Sequence, residues 1–211
     1  MVLVMLVELV SSTFVGLLPI PPLASAAFSL NFGVNMKITN AIALAGAVLM
    51  SAGRAWADAP WLHVTQTIDI AAPAGKAWKA IENFDALNTW LPPVAKDEIV
   101  EGTNNTVGAV RLLTLKDGGT IKEKLLSFNP AARTVRYSIL EGVLPVSHYT
   151  SVLTVKSAGK GHATIRWSGR FKRKNLSDSP GDNENDKTAV DAVTGVYQGG
   201  LQNLKKMLEG Q

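Results

Sequence analysis

The feature that most constrains this fold is the C-terminal stretch from Asp186 to Gly210, which has the pattern of a long amphipathic helix. Apolar residues recur there at steps of three and four, the spacing of one helical face: Val190, Val193, Val196, Tyr197, Leu201, Leu204 and Leu208. Most of the preceding chain has the pattern of short strands, which must cover this apolar face. The sequence therefore favours a sheet wrapped around one long helix.

Glycines interrupt the helical pattern at Gly195, Gly199 and Gly200. Each glycine inside a helix costs about 1 kcal/mol relative to alanine, so their presence needs a reason. Gly200 lies on the apolar face, four residues after Val196. Two interpretations remain open: the sheet packs closely against the helix at this point, or the helix leaves room for a ligand cavity.

Strand patterns account for most of the remaining chain. The first strand is Trp61–Ile70, and two short helical segments, Lys76–Asn83 and Phe84–Trp90, follow it. Turn residues separate six later strands: Lys96–Glu101, Val107–Lys116, Thr120–Phe128, Thr134–Glu141, Ser147–Lys156 and His162–Lys174. We predict an α+β fold in which a seven-stranded curved antiparallel sheet wraps around the long C-terminal helix, with two short helices after the first strand.

A secretory signal is predicted near the N-terminus. Lys37 follows Met36, residues 41–50 form an unbroken apolar run, and Ala55-Trp56-Ala57 is a small-x-small cleavage site. The apolar run is too short to span a bilayer. We therefore expect cleavage before Asp58 and export to a bacterial periplasm, with no stable membrane span after cleavage.

This signal divides the chain into three parts. Residues 1–35 are apolar and contain no basic residue, and we expect translation to start after them, which makes them a misassigned extension. Residues 36–57 are the predicted signal peptide, and residues 58–211 are the predicted folded domain. The formal net charge of +4 is too weak and too scattered to favour a nucleic-acid partner.

Alternation along the predicted strands places one set of side chains on the face turned toward the helix. These side chains are apolar or carry single polar tips: Glu123, Tyr137, Ile139, Glu141, Tyr149, Ser151 and Trp167. Val196 and Gly200 face them from the helix. Such a lining suits a pocket that holds a mostly apolar ligand by shape and orients it with a few polar groups.

The order of the elements is accompanied by a set of short motifs. They are Ile70-Ala71-Ala72-Pro73, Ala77-Trp78, Asn83-Phe84-Asp85, Trp90-Leu91-Pro92, Leu115-Lys116-Asp117-Gly118-Gly119, Glu141-Gly142-Val143-Leu144-Pro145-Val146, Trp167-Ser168-Gly169 and Val196-Tyr197-Gln198-Gly199-Gly200-Leu201. The ordered set resembles the START/Bet v-like helix-grip superfamily, SRPBCC, and within it the polyketide cyclase/dehydrase-like branch. The signal peptide together with the ending Asp186–Leu208 also resembles the MxaD family, whose members are periplasmic proteins associated with methanol oxidation.

The resemblance implies a ligand-binding domain with a deep cavity between the sheet and the C-terminal helix. Similarity to the plant abscisic-acid receptors of the same superfamily implies a gate loop at residues 116–119 and a latch loop at residues 142–147. It also implies that Glu123, Tyr149 and Ser151 are polar pocket residues. Leu144 in the latch and His148 beside it complete the predicted ligand-binding set.

Little in the sequence points to catalysis. The chain has no cysteine and no Gly-x-Ser-x-Gly motif, so covalent catalysis has no signature. His63, His148 and His162 lie far apart without metal-ligand spacing. Glu123 is the candidate acid or base, and no second group completes a proton transfer. We expect no catalytic residue, no metal site and no cofactor, and we expect binding rather than turnover.

Three functional hypotheses follow. The first is a periplasmic binding or carrier protein for a small, mostly apolar molecule. The second, from the MxaD resemblance, is an accessory protein of methanol oxidation that contacts a periplasmic dehydrogenase or cytochrome. The third is a cyclase or dehydratase that uses Glu123 and Tyr149. We rank the first hypothesis highest.

Overall fold

The computed structural model describes residues 59–210. The predicted signal peptide and the predicted start at Met36 lie outside these residues. The described elements follow in the order β1 Leu62–Ile70, α1 Ala74–Lys79, a 3-10 turn Leu87–Thr89, β2 Val94–Glu101, β3 Val110–Leu115, β4 Thr120–Asn129, β5 Thr134–Gly142, β6 Val146–Ser157, β7 Ala163–Arg173 and α2 Asp186–Glu209. The predicted order of elements is confirmed; the second short helix is reduced to the 3-10 turn.

The strands form one seven-stranded antiparallel sheet with the order β1-β7-β6-β5-β4-β3-β2. Strands β2 to β7 pair with their neighbours along the chain, whereas β1 pairs with β7, from Leu62 opposite Phe171 to Ile70 opposite Ala163. The predicted helix-grip architecture is therefore confirmed. The alternating strand pattern determines it, because one face of most strands is apolar and needs the same cover.

Helix α2 supplies this cover. Its buried residues follow the apolar stripe predicted from the sequence: Ala189, Val193, Tyr197, Gly200, Leu201, Leu204 and Leu208. The helix begins at a cap in which Asn185 Oδ1 accepts the Thr188 N–H at 2.9 Å. Near its end, Lys205 Nζ donates to the Asp69 carbonyl at 2.7 Å, and Asn203 Nδ2 donates to the Trp90 carbonyl at 2.9 Å. These bonds hold the helix to β1 and to the segment that precedes β2.

Candidate functional site

The interior between sheet and helix contains a buried ion cluster, formed by Asp97, Arg111 and Glu123. Arg111 in β3 lies directly opposite Glu123 in β4. The Arg111 Nε and Nη2 groups both donate to Glu123 Oε2, at 2.8 and 2.6 Å. On the other side, Arg111 Nη1 lies 3.3 Å from Asp97 Oδ2 in β2. Three neighbouring strands thus bring two carboxylates onto one guanidinium, and the three side chains are at most 6% exposed.

The guanidinium also has partners on its remaining sides. Arg111 Nη1 donates to the Phe84 carbonyl at 2.5 Å, and the guanidinium carbon lies 4.2 Å from the centre of the Phe84 ring. The Tyr137 ring centre lies 5.3 Å away. Arg111 therefore joins the segment between α1 and β2 to the inner face of the sheet through charge-assisted hydrogen bonds and ring contacts.

Burial dominates the electrostatics of the ion cluster. Removal from water raises the pKa of Asp97 to about 6. Two groups oppose this rise: the positive charge of Arg111, and the Leu87 N–H, which donates to Asp97 Oδ2 at 2.9 Å. Burial also raises the pKa of Glu123, against the attraction and hydrogen bonds of Arg111. Asp97 Oδ1 is buried and has no hydrogen-bond partner. One guanidinium does not fully compensate two buried carboxylates.

Asp97→Asn is expected to flatten the dependence of stability on pH. A carboxyl group with a raised pKa binds more protons in the folded than in the unfolded state, so the free energy of unfolding falls as the pH rises from about 4 to about 6. The Asp97→Asn variant lacks this loss. Between about pH 4 and about pH 6, its free energy of unfolding should therefore rise by at most about 3 kcal/mol relative to wild type. Urea unfolding between pH 4 and pH 7 measures the difference.

Glu98→Gln, on the exposed side of the same strand, is the control for losing a carboxylate from β2. Its pH profile should follow that of wild type. Parallel profiles for wild type and Asp97→Asn would contradict the assigned pKa of Asp97.

A hydroxyl network lies beside the ion cluster; its members are Tyr137, Tyr149, Ser151, Trp167 and Tyr197. Trp167 Nε1 donates to Ser151 Oγ at 2.8 Å and to Tyr137 Oη at 3.0 Å. Tyr197 Oη, from helix α2, lies 3.0 Å from Ser151 Oγ and 2.5 Å from Tyr149 Oη. The network therefore ties three strands to the helix through buried polar groups.

Two further features define the network. Gly169 makes room for it, because a Cβ at this position would lie 2.4 Å from Tyr197 Oη. Burial raises the pKa of Tyr137, Tyr149 and Tyr197 well above the ordinary tyrosine value. These tyrosines are therefore neutral hydroxyls at physiological pH, suited to hydrogen bonding rather than to proton abstraction.

The space that remains at this site is small. A cavity of about 20 Å³ lies among ten side chains: Ile81, Asn83, Phe84, Leu87, Trp90, Arg111, Val135, Tyr137, Leu153 and Trp167. That is room for about one water molecule. Among residues 59–210, this cavity is far smaller than the deep one that the resemblance implied, because the aromatic rings and the segment before β2 fill the space between the sheet and helix α2.

The two predicted loops, residues 116–119 and 142–147, contact each other. A Cβ on Gly119 would lie 3.1 Å from Val143 Cγ2, so the tips of residues 116–119 and 142–147 touch. The Val143 N–H donates to the Thr120 carbonyl at 3.1 Å, and Lys174 Nζ donates to the Gly142 carbonyl at 2.9 Å. The first of these bonds continues the pairing of β4 with β5, and the second ties Gly142 to the residue that follows β7.

Five of the predicted site residues come together in the interior: Glu123, Tyr137, Tyr149, Ser151 and Trp167. Ile139, Leu144 and Val196 are partly buried and pack against the same core. Glu141, His148 and Gly200 differ from the prediction, each for its own reason.

The predicted inward orientation of Glu141 is wrong. Glu123 pairs with Ile139 but Lys122 pairs with Glu141, so one extra residue, Leu140, is inserted in β5. This bulge reverses the alternation. Glu141 therefore points outward and is ion-paired with Lys122 at 3.2 Å.

His148 also lies outside the interior. It has a positive φ of 52° and stands at an irregularity between β6 and β7. Its exposed ring meets Trp61 edge-on, with 6.1 Å between the ring centres, on the outer face of the sheet.

Gly200 does not face an empty space. A Cβ there would lie 2.8 Å from Leu91 Cδ1, 3.0 Å from Trp167 Cζ3 and 3.2 Å from Trp90 Cζ3. Of the two interpretations of the glycines, close packing is correct at this position. Gly195 and Gly199 face open space on the other side of the helix.

Sequence reasoning missed Arg111 and Asp97. The signal for Arg111 was present, since it shares strand parity with Leu113 and Leu115, which are buried. Asp97 gave a weaker signal, because it stands between the charged residues Lys96 and Glu98 in β2. Tyr197 was placed on the apolar stripe but not among the polar site residues.

Residues 59–210 contain no candidate metal centre and no candidate membrane span. No group of three or more histidine, cysteine, aspartate or glutamate side chains there is arranged to hold a metal ion. Within the same residues, no helix is both long and apolar enough to cross a membrane.

Comparisons place the chain among known proteins. The family described as polyketide cyclase/dehydrase and lipid transport matches residues 62–209. The structure of the protein XoxI from Bacillus cereus is 31% identical with a TM-score of 0.60; the match covers 69% of this chain and 94% of that protein. A protein from Nitrosospira multiformis is 24% identical with a TM-score of 0.59, over 70% and 96% of the two chains.

The fold is also shared with a protein of named activity. The Zhui aromatase/cyclase from Streptomyces sp. R1128 is 20% identical with a TM-score of 0.56, over 71% of this chain and 94% of that one. At this identity the likeness concerns the fold alone. No curated protein matches the chain.

Proposed function

Since the chain belongs to the polyketide cyclase/dehydrase and lipid-transport family of the SRPBCC superfamily, we propose that it binds a small, mostly apolar molecule between the sheet and helix α2. The observation that carries the proposal is the buried polar lining of this interior. Arg111, Glu123 and Ser151 are each at most 5% exposed. Buried ion pairs often contribute less stability than apolar packing of the same volume, so their presence favours a binding role.

The ligand binds to an open form of the protein. A cavity of about 20 Å³ is far below the roughly 300 Å³ or more of a small-molecule pocket. The loops at residues 116–119 and 142–147 and the segment from Phe84 to Leu91 are the parts that have to move. Binding then selects a minor, open population, which lowers the apparent affinity by the fraction that is open.

The lining indicates the chemistry of this ligand. Trp90 and Trp167 meet edge-on with ring centres 5.4 Å apart and offer flat apolar walls. Tyr137 Oη lines the cavity, and Ser151 Oγ lies behind this lining, where it accepts from the same Trp167 Nε1 and supplies a second polar group for the open form. A ring-containing or acyl molecule with one hydroxyl or carbonyl group fits this arrangement. The signal-peptide pattern of residues 36–57 supports a periplasmic location.

Ser151→Ala is expected to weaken binding of such a molecule about fivefold, the effect of one lost hydrogen bond of about 1 kcal/mol. The measurement is fluorescence titration of the purified protein with 2-naphthol, which has two apolar rings and one hydroxyl. Ser138→Ala is the matched control, because Ser138 is in the neighbouring strand but on its outer face. Equal affinities for the two variants, or no binding to wild type, would contradict the proposed site.

The accessory role in methanol oxidation remains a second proposal, with a periplasmic dehydrogenase or cytochrome as its partner. It rests on the MxaD resemblance of the signal peptide and the C-terminal helix. The cyclase or dehydratase role is less favoured by the geometry. Glu123 accepts two hydrogen bonds from Arg111. Burial raises the pKa of Tyr149, which keeps its hydroxyl protonated and unable to act as a base near neutral pH.

A further inference from the structure

The outer face of the sheet, opposite the interior site, has a concave groove of its own. Its volume is about 380 Å³, and it crosses β1, β7, β6 and β5. We call it the basic groove; its charged and aromatic lining residues are Trp61, His63, Arg136, His148, Arg166 and Arg170. The remaining lining residues are small or β-branched, so they leave a depression between the arginine side chains.

The charge of the basic groove is one-sided. Arg136, Arg166 and Arg170 are exposed side chains on its walls, whereas none of its lining residues is an aspartate or glutamate. Two carboxylates on the strands that carry the groove, Asp69 in β1 and Glu141 in β5, have partners elsewhere. Asp69 accepts a hydrogen bond from Thr164 at 2.6 Å, and Glu141 is ion-paired with Lys122. Such a concentration of positive charge, with no acidic residue among the described lining residues, attracts a complementary surface.

Trp61 anchors one end of the groove. It is 41% exposed, although tryptophan is usually more deeply buried. The Arg170 guanidinium lies 3.5 Å from the centre of its ring, and Lys172 Nζ lies 5.2 Å away. Stacking on the indole fixes the Arg170 side chain while its edges remain available, so less conformational entropy is lost on binding.

We propose that the basic groove docks a carboxylate-rich segment of a partner protein. Arginine forks match carboxylates with two parallel hydrogen bonds, and an exposed tryptophan among arginines is typical of an interface anchor. The groove crosses four strands, which suits an extended segment rather than an enclosed small molecule. This surface lies on the opposite face of the sheet from the ligand-binding interior and does not depend on it.

The chain itself offers weaker candidates for the groove. Residues 1–58 contain only Glu8 and Asp58 as acids, which is little charge to match three arginines. The stretch 175–186 is acidic, but two of its carboxylates have partners in their own chain. Asp186 is ion-paired with Arg173 at 2.7 Å, and Glu184 accepts from Asn175 at 2.6 Å. A second copy is therefore less suited to the groove than a separate acidic protein.

The test uses a fluorescein-labelled dodecapeptide of alternating glutamate and alanine, with fluorescence anisotropy as the readout. Binding to the full protein is compared with binding to Arg166→Glu/Arg170→Glu and to Lys116→Glu/Lys160→Glu. The control pair changes the net charge equally, at exposed positions outside the groove. We expect the groove variant to lose at least about tenfold in affinity and the control less than about twofold, with unchanged circular dichroism in both.

Specific results overturn the proposal. Equal losses in the groove variant and the control would show that net charge alone attracts the peptide. Displacement of the peptide by equimolar inorganic phosphate would indicate a small-anion site. A dimer in light scattering that the groove variant abolishes would show that a second copy occupies the groove. Equal binding of a peptide with glutamine in place of glutamate would remove the role of carboxylates.

Discussion

Arg111→Met is expected to lower the free energy of unfolding by about 3–5 kcal/mol at pH 7, the usual cost of removing one partner from a buried ion pair. Arg111 is the cation that the structure places between Asp97 and Glu123, whose side chains are at most 6% exposed. Methionine fills much of the arginine volume but leaves both carboxylates without their charge partner. Urea unfolding at pH 7 followed by tryptophan fluorescence measures the loss.

The pH dependence separates charge from packing. Without the guanidinium, the pKa of both carboxyl groups rises further, so at pH 4 they are neutral in the folded variant and the loss becomes smaller. Adding Glu123→Leu and Asp97→Asn to Arg111→Met should restore most of the stability at pH 7. Arg136→Met, on the exposed outer face, is the control and should change stability by less than about 0.5 kcal/mol. A loss that is the same at both pH values would point to packing instead.

The sequence predicted the fold because two strong periodicities agree along it. A three-to-four repeat marks helix α2, and a repeat of two marks most strands, so most elements have one apolar face that needs cover. A meander of strands followed by one long amphipathic helix has few ways to bury all those faces together. Strand bounds were correct to within a few residues, because glycine and proline turns punctuate the chain.

The candidate site was less predictable, because it depends on local departures from those periodicities. Leu140 is an extra residue in β5, and no sequence pattern shows that it reverses the orientation of Glu141. His148 does not follow the alternation of side chains along β6, because its φ is positive and it lies at a second irregularity in the strand pairing. A bulge is determined by the pairing of two strands, and single-strand alternation carries no information about it.

For Glu123, the sequence predicted the orientation of the side chain but not its partner. Its inward orientation was predicted from parity with Ile121 and Leu125, which are buried. Its partner was missed, because the cross-strand pair with Arg111 follows from register, which the sequence alone does not set. The volume of the interior cavity could not be predicted from the sequence either, because it depends on how Trp90, Trp167 and the segment before β2 pack together.

Gly200→Leu is expected to destabilise the protein by about 3 kcal/mol, because overpacking a filled site forces side chains and backbone to shift. A Cβ at this position would already lie 2.8 Å from Leu91 Cδ1 and 3.0 Å from Trp167 Cζ3. Trp167 is 2% exposed and donates hydrogen bonds to Ser151 and Tyr137, so it cannot move without disturbing the hydroxyl network. Thermal and urea unfolding measure the loss.

Gly199→Leu is the matched control, because the same substitution is made one residue earlier in the same helix. Gly199 faces open space, so leucine there should gain about 0.5–1 kcal/mol from its higher helix propensity. The two variants share that gain, and the difference between them isolates the contact with Trp90, Leu91 and Trp167. If Gly200→Leu is as stable as Gly199→Leu, the side chains that contact Gly200 rearrange at little cost in free energy. The open form needed for ligand binding is then close in free energy to the closed one.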